Sequence, residues 1–509
     1  MQSFGDAIRR NARRHPNNLA YVFKNLRLTF KEYNDRVNQL ANGLISLGYK
    51  KGDRVALIMN SSHYHCEIMG ACAKTGLIYT PLSSGIKQEL NSIINNAQPI
   101  VIIVGEAHAH KVDPNWGSVR TAICIGNNPS NMYNYEELLA EYPADEPEID
   151  INLKDILSIY YTSGTTGLPK GSCLSHLAEL TSTMAQIQLN HLQYHKEVGI
   201  TLNPLYFRAP MINTVQALML LASPVVITDS FDIETLGEII QRERVTTTIT
   251  VPTMIYRILE YPEIHKYDLS SLKKVCYASA PMPVAVLQRA LSTFGNIFCQ
   301  VYGLTEFGLA TGLFAEEHCL QGPEKITRRL ASCGKELYDC HLRVVREDGT
   351  DIKRDSEEVG EIIIRGDQMM SGYFNMPEQT AKAIKDGWLH TKDLAVLDEE
   401  GYVYIKDRKD DMISSGGIKI FPREVEEVIS THPAVGQVAV VGVNDEEWGE
   451  KVKAYVVLRS DTQATEQEII DYAKSRLASY KKPKEVEFVK KLPLGTTGKI
   501  LKRELRARN

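Results

Sequence analysis

The sequence has no CxxC pair and no even, regularly spaced set of cysteines. Its nine cysteines stand at positions 66, 72, 124, 173, 276, 299, 319, 333 and 340. That scatter excludes a disulfide framework and a structural zinc site, and it suits a reducing compartment. His63, His65 and Cys66 lie close together, but they supply too few ligands at metal-site spacing and read as ordinary residues at a helix start. A basic excess is also missing: 58 Lys and Arg against 63 Asp and Glu give a formal net charge of -5. Proteins that grip nucleic acid through its phosphates carry a positive surplus, so nucleic acid is not an expected partner.

The basic N-terminal stretch MQSFGDAIRRNARRHPNN has no apolar core of the secretory kind, and helix and strand patterns begin almost at once, against an organellar presequence. The C-terminal RELRARN is not an SKL-type peroxisomal ending. Long apolar runs are scarce. Residues 209–228 (APMINTVQALMLLASPVVIT) carry no charge over the length of a membrane span. Pro210, Asn213, Gln216 and Pro224 interrupt them, which predicts a buried helix broken at Ser223-Pro224 and then a strand. No integral membrane association is expected, and the reading is a cytoplasmic protein. Repeats and low-complexity tracts are absent too.

What is present is ordinary globular composition, 43% hydrophobic and 24% charged, which rules out a fibrous or wholly disordered chain. The 509 residues are about three times a typical domain of ~150, so two or three domains are expected. Short apolar runs alternate with helical patterns, as in an α/β fold. Thr29 to Gly48 reads as a capped helix, with Leu40, Leu44 and Leu47 on one face. Strands are expected at 54–59, 77–82, 99–104, 225–228, 246–251 and 273–279, and helices at 61–75, 86–96, 233–243 and 283–293. Beyond about 335 the texture becomes β-rich, with 341–345, 361–366 and 402–407 spaced by Gly and Asp turns. The charged break DRKDD (407–411) precedes a compact α+β stretch of helices at 421–432 and 465–479 and strands at 435–443 and 451–458.

The most informative segment is 156–171, ILSIYYTSGTTGLPKG. A strand runs into Thr162, Ser163, Gly164, Thr165, Thr166 and Gly167, followed by Lys170. Glycines let backbone N–H groups face an anion, hydroxyls add donors, and the lysine adds charge. This is the chemistry of a triphosphate cradle. It is not a Walker loop, since Pro169 precedes the lysine and Gly171 follows it.

YTSGTTGLPKG resembles the phosphate loop of the adenylate-forming superfamily, which comprises acyl-CoA synthetases, nonribosomal adenylation domains and luciferases. YASAPMP (277–283), VYGLTEFG (301–308), GWLHTKDLAVLDEEGYVYIKDRKDDMI (387–413), SGGIKIFPREVE (415–426) and LPLGTTGKILKREL (492–505) extend the resemblance over essentially the whole chain, closest in pattern to acyl-CoA synthetases. The resemblance implies a large N-terminal domain of layered α/β subdomains with a small β-rich subdomain (1–407), a hinge (408–411) and a small mobile α+β domain (412–509). It also implies the reaction: a carboxylate attacks the α-phosphate of ATP to give acyl-AMP and pyrophosphate, and a thiol, usually of CoA, displaces AMP.

Site roles follow from the same resemblance. Tyr302 and Gly303 belong to the adenine side with Ser279, Ala280 and Pro281; Thr305 contacts phosphate; Glu306 and Thr162 hold Mg²⁺. Asp393 accepts the ribose hydroxyls and Arg408 lies near ribose and phosphate, where a guanidinium fork suits the task. Asp410 is the hinge position. Lys499 bridges carboxylate and α-phosphate in the first half-reaction, acting with Lys170, Thr305 and Glu306 as the catalytic set. Gly416, Gly417 and Lys419 lie on the CoA side.

The family commonly shows PLFH where this chain has Pro204-Leu205-Tyr206-Phe207, so an aromatic replaces the histidine. Tyr206, Phe207, Met211 and Phe307, with Ile212 and Leu309, are expected to wall the acyl pocket, and Arg208, Asn213 and Gln300 to add polar contacts. Such walls favour a medium-sized aliphatic, alicyclic or aromatic acid. Alternatives at this point are an adenylating enzyme that loads a separate carrier protein, and a non-catalytic nucleotide-binding relative. Monomer and homodimer are equally compatible with the sequence.

Overall fold

Thr29 opens the first long helix as the sequence predicts. Its hydroxyl accepts from the Glu32 N–H at 3.2 Å while the Glu32 carboxylate accepts from the Thr29 N–H at 2.8 Å. A reciprocal cap of this kind stabilises a helix by about 1 kcal/mol. The helix Phe30–Ser46 then buries Val37, Leu40, Ala41 and Leu44 along one stripe. In this computed structural model, residues 3–87, 89–127, 129, 131–162, 169–493 and 500–508 are described. They form two compact units, Met1–Leu342 with Ile364–Leu389, and Arg343–Ile363 with His390–Asn509.

The first unit contains two large sheets. In one, the strands lie in the order Gly372–Tyr373, Lys170–Ser175, Ile156–Thr162, Ile78–Leu82, Arg54–Ile58, Val101–Gly105, Thr121–Ile125 and Tyr133–Asn134. Its pairs are parallel from Ile156–Thr162 outward to Tyr133–Asn134 and antiparallel at the Lys170–Ser175 end. Central parallel strands are covered on both faces, which explains why Val101, Ile102, Ile103 and Val104 are all buried rather than alternating.

The other sheet runs Lys335–Glu336, Gly308–Leu313, Phe298–Leu304, Lys274–Tyr277, Thr247–Thr250, Gly199–Thr201, Val225–Ile227, Leu19–Phe23 and Leu26–Thr29. Parallel pairing fills its middle, and antiparallel hairpins close both edges. The hairpin Phe298–Leu304/Gly308–Leu313 carries the Thr305-Glu306 turn. The uncharged stretch becomes a buried helical run, Arg208–Pro210, a π-helical Met211–Gln216, and Ala217–Leu220. It ends before Ser223-Pro224, because Ala222 adopts a φ of 51°.

In the second unit, Val435–Asp445 and Gly449–Leu458 form a long antiparallel hairpin, flanked by Ile413–Ser415, Ile418–Ile420 and the parallel strand Glu485–Phe488. Helices Pro422–Ser430 and Glu466–Lys474 bury Val425, Ile429, Ile469 and Ala473 against Val440, Ala454 and Val456. The strands Trp388–Leu397 and Val403–Arg408 pair antiparallel, with Asp393 opposite Arg408.

Candidate active site

Lys170 opens the strand Lys170–Ser175, directly across from Thr162 at the end of Ile156–Thr162. Gly171 after it admits no side chain, since a Cβ would lie 2.7 Å from Ile159 Cγ2 and 2.8 Å from Tyr161 Cζ. Ser163, Gly164, Thr165, Thr166 and Gly167 of the loop lie outside the described residues.

The Thr305-Glu306 turn is built by close packing. A Cβ on Gly303 would meet the Gly308 carbonyl oxygen at 1.8 Å, and Gly308 has a φ of 108° with Ser182 Oγ 2.3 Å from its would-be Cβ. Both positions therefore need glycine. The turn is held by its main chain. Arg208 Nη1 donates to the Thr305 carbonyl at 2.9 Å, and the Met370 N–H donates to the Glu306 carbonyl at 2.8 Å. The Gln368 amide brackets Leu309, accepting from its N–H at 2.9 Å and donating to its carbonyl at 3.0 Å.

Arg208 is itself buried. Its Nη2 donates to Ser182 Oγ at 2.9 Å, and its Nε lies 3.5 Å from Glu179 Oε2. The Glu179 carboxylate is wholly buried and accepts from Ser158 Oγ at 2.7 Å. Burial, reinforced by the Glu179 charge, pushes the neighbouring Tyr160 phenol well above its ordinary range.

The Lys170 strand and the Thr305-Glu306 turn meet on Tyr373. Its hydroxyl donates to Glu306 Oε1 at 3.0 Å, and its ring lies 5.2 Å from Lys170 Nζ. A cation and a carboxylate from separate strands are thus gathered by one side chain. Glu306 Oε2 has no hydrogen bond among the described residues, so one carboxylate oxygen is available to a divalent cation. That fits Mg²⁺, which takes one or two carboxylates and completes its shell with phosphates and water.

Ser279, Ala280 and Pro281 are exposed and follow the strand Lys274–Tyr277, with Ser279 in the left-handed region at a φ of 70°. Tyr302 is half-buried and Gly303 exposed, on the neighbouring strand. The rings of Tyr206 and Phe207 pack edge-on, centroids 4.6 Å apart. Met211 and Phe307 are wholly buried, the latter with its Cζ 3.3 Å from where a Cβ on Gly366 would sit. Asn213 Oδ1 and Gln300 Oε1 are buried acceptors with no partner among the described residues. Arg208, expected as a pocket contact, donates one hydrogen bond to the turn and one to Ser182.

In the second unit the buried Asp393 carboxylate lies 3.2 Å from Arg408 Nε across the strand pair. The next residues are tied down by charge. Asp407 accepts from the Arg408 and Arg423 N–H groups at 2.7 and 2.8 Å, Asp410 pairs with Lys392 at 3.0 Å, and Asp411 pairs with Arg506 at 2.7 Å. Gly416 and Gly417 both have positive φ, 58° and 81°, and a Cβ on Gly416 would fall 2.6 Å from Trp448 Cε3. Lys419 is exposed, 3.3 Å from Glu347. Lys499 lies outside the described residues.

Sequence reasoning did not find Tyr373, Glu179 or Gln368. Each acts through tertiary contact, Tyr373 and Glu306 being 67 residues apart, and no local spacing signals such a meeting.

Known proteins are similar to this chain over nearly its whole length. A family model described as AMP-binding enzyme matches residues 8–374, and one described as AMP-binding enzyme C-terminal domain matches 424–499. A feruloyl-CoA synthase from Amycolatopsis sp is 32% identical, covering 100% of this chain and 99% of its own. A long-chain-fatty-acid–CoA ligase, FadD13 of Mycobacterium tuberculosis, is 32% identical over 99% and 98%. Among solved structures, o-succinylbenzoate CoA synthetase (MenE) from Bacillus subtilis, in complex with its acyl-adenylate intermediate, superposes with a TM-score of 0.86 at 26% identity, covering 99% and 98%.

Proposed function

The chain belongs to the AMP-binding enzyme family and is an AMP-forming acid–CoA ligase, and we propose that the residues above divide its two half-reactions between them. The observation that carries the assignment is the meeting of the Lys170 strand and the Thr305-Glu306 turn on Tyr373. In the first half-reaction a substrate carboxylate oxygen bonds to the α-phosphorus of ATP, and pyrophosphate leaves. Lys170, Thr305 and the loop 162–167 neutralise and orient the phosphates, and Lys499 joins carboxylate to α-phosphate. Glu306 and Thr162 would hold Mg²⁺, which would supply further charge neutralisation on the phosphates. Tyr302 and Ser279-Ala280-Pro281 take the adenine, and Asp393 and Arg408 the ribose.

In the second half-reaction the CoA sulfur bonds to the acyl carbon and AMP leaves. The 412–509 domain turns about Asp410 to bring Gly416, Gly417 and Lys419 to the thiol. Such a hinge absorbs a large backbone rotation at few residues; here Asp410 pairs with Lys392 and Asp411 with Arg506.

We assign the acyl pocket to Tyr206, Phe207, Met211 and Phe307, and the substrate to the medium-sized aliphatic, alicyclic or aromatic acids. Asn213 and Gln300 each offer a buried acceptor, which favours an acid carrying a hydroxyl or amino hydrogen over a bare alkyl chain. We place the reaction in the cytoplasm, in keeping with nine free cysteines. No helix among the described residues is long and apolar enough to cross a membrane.

The test is incubation of the purified protein with ATP, Mg²⁺, CoA and a panel of short, branched, cyclic, hydroxylated and aromatic acids, with products read by mass spectrometry. Acyl-CoA with AMP is expected. Acyl-AMP without acyl-CoA redirects the second half-reaction to a carrier-protein thiol, and ATP turnover to ADP refutes the chemistry.

A further inference from the structure

The segment from Met370 to Phe374 touches both halves of the phosphate site. Its Met370 N–H donates to the Glu306 carbonyl at 2.8 Å. Its Ser371 N–H donates to the Cys173 carbonyl at 2.9 Å, and its Phe374 N–H to the Gly171 carbonyl at 2.8 Å. Gly372 and Tyr373 form an edge strand on Cys173 and Ser172, and the Tyr373 N–H donates to Thr380 Oγ1 at 2.9 Å. Main-chain bonds therefore staple one five-residue segment to the lysine strand and to the glutamate turn. Between those staples the Tyr373 side chain is fixed. Its hydroxyl donates to Glu306 Oε1 at 3.0 Å, and its ring lies 5.2 Å from Lys170 Nζ.

We propose that Tyr373 is a positioning residue that locks the Glu306 carboxylate for contact with Mg²⁺ through Oε2 alone and steadies Lys170 beside it. The proposal rests on the assignment of Glu306 as the metal ligand. A carboxylate with both oxygens idle samples several rotamers and chelates with either or both. With Oε1 committed to a phenol, one oxygen is presented in one direction. Mg²⁺ demands near-octahedral geometry, which a single well-aimed carboxylate oxygen satisfies better than a loose bidentate one. Groups that hydrogen-bond to a metal's ligands act in this way on affinity. The ring face does separate work, since a cation near an aromatic face is held by its quadrupole.

Two substitutions separate the two roles. Tyr373→Phe keeps the ring and removes the hydroxyl; Tyr373→Leu removes both. Pyrophosphate release is titrated with Mg²⁺ at saturating ATP, and with ATP at saturating Mg²⁺, for both variants, Glu306→Gln and the parent. Mn²⁺ occupancy is read independently by electron paramagnetic resonance with α,β-methylene-ATP, which cannot react, and thermal midpoints are recorded.

Tyr373→Phe is expected to need about tenfold more Mg²⁺ and Mn²⁺ for half-saturation, the usual effect of losing such a bond. Its KM for ATP at saturating Mg²⁺ and its thermal midpoint should match the parent. Tyr373→Leu should show the same metal defect and also a raised KM for ATP. If Tyr373→Phe binds metal like the parent while Glu306→Gln does not, the positioning role is refuted and the metal role of Glu306 stands. If Glu306→Gln also binds metal like the parent, the assignment of Glu306 falls first and the proposal with it.

Discussion

Replacing Arg208 tests whether the turn is held by a buried charge. The Arg208 Nε and Glu179 Oε2 are 3.5 Å apart, a separation at which the attraction is about 5 kcal/mol for an effective dielectric constant of ~20. Desolvation offsets much of that, so the pair is worth little net against an apolar pair of equal size. Removing one member is different. Arg208→Met leaves the Glu179 carboxylate buried with only the Ser158 hydroxyl, at a cost of about 3–5 kcal/mol. Arg208→Met combined with Glu179→Gln removes both charges and should return the stability to within about 1 kcal/mol of the parent. The Thr305 carbonyl still lacks its charged donor in the double variant. Adenylation should therefore stay slower by about tenfold or more, the equivalent of one hydrogen bond to a charged group. Urea unfolding followed through Trp116, buried in the same unit, reads the first quantity, and pyrophosphate release reads the second. A single variant within 1 kcal/mol of the parent would sink the buried-charge argument. A double variant with restored adenylation would show that the bond to Thr305 does no positioning.

Other perturbations are equally sharp. Gly303→Ala drives a methyl to 1.8 Å from the Gly308 carbonyl; it should destabilise by about 3 kcal/mol and abolish pyrophosphate release, and a parent-like rate refutes the packing account of the turn. Lys499→Ala should cripple acyl-AMP formation yet spare thioester formation from supplied acyl-AMP, and an equal fall in both refutes the alternation of the C-terminal domain. Burial holds His63, His65, His176 and His318 each down at about 4 from the usual 6.5. A depressed pKa means the unfolded chain binds more protons in between, so stability is full above about 6.5 and is lost as pH falls toward 4. The urea midpoint should drop steadily from pH 7 to pH 5, and a flat profile contradicts buried neutral imidazoles.

Local chemistry made much of the fold legible. The Thr29 cap, the helix Ile233–Glu243 and the strand His341–Val345 stand where composition and spacing predict them. Errors fall where tertiary context decides the end of an element. The helix expected over 86–96 begins only at Leu90; the Ile86 N–H closes a turn on the Ser83 carbonyl, and the Ile86 carbonyl accepts from Lys111. The helix expected to 479 stops at Lys474, where Ser475 and Arg476 close the turn. The candidate site divides the same way. Lys170, Thr305 and Glu306 can be proposed from sequence because their motifs are contiguous. Arg208, read from sequence as a pocket contact, and Glu179, 29 residues away, are joined as a buried pair that neither local context signals.

The division of labour at the Thr305-Glu306 turn explains why its supports were invisible to motif reading. Every clamp described there acts on the main chain: Arg208 on the Thr305 carbonyl, Met370 on the Glu306 carbonyl, Gln368 on both backbone groups of Leu309. The Thr305 and Glu306 side chains are thereby left clear of the clamps, and among the described residues Glu306 is touched by one phenol at one oxygen. A site that must neutralise developing charge works best when its groups are fixed before the substrate arrives, since reorganisation at the moment of reaction raises the barrier. Fixing them through carbonyls achieves that without spending the functional atoms. It also frees the clamping residues from any fixed sequence, because a carbonyl accepts from any well-placed donor. A carbonyl clamp therefore requires a donor in the right place and not one particular side chain.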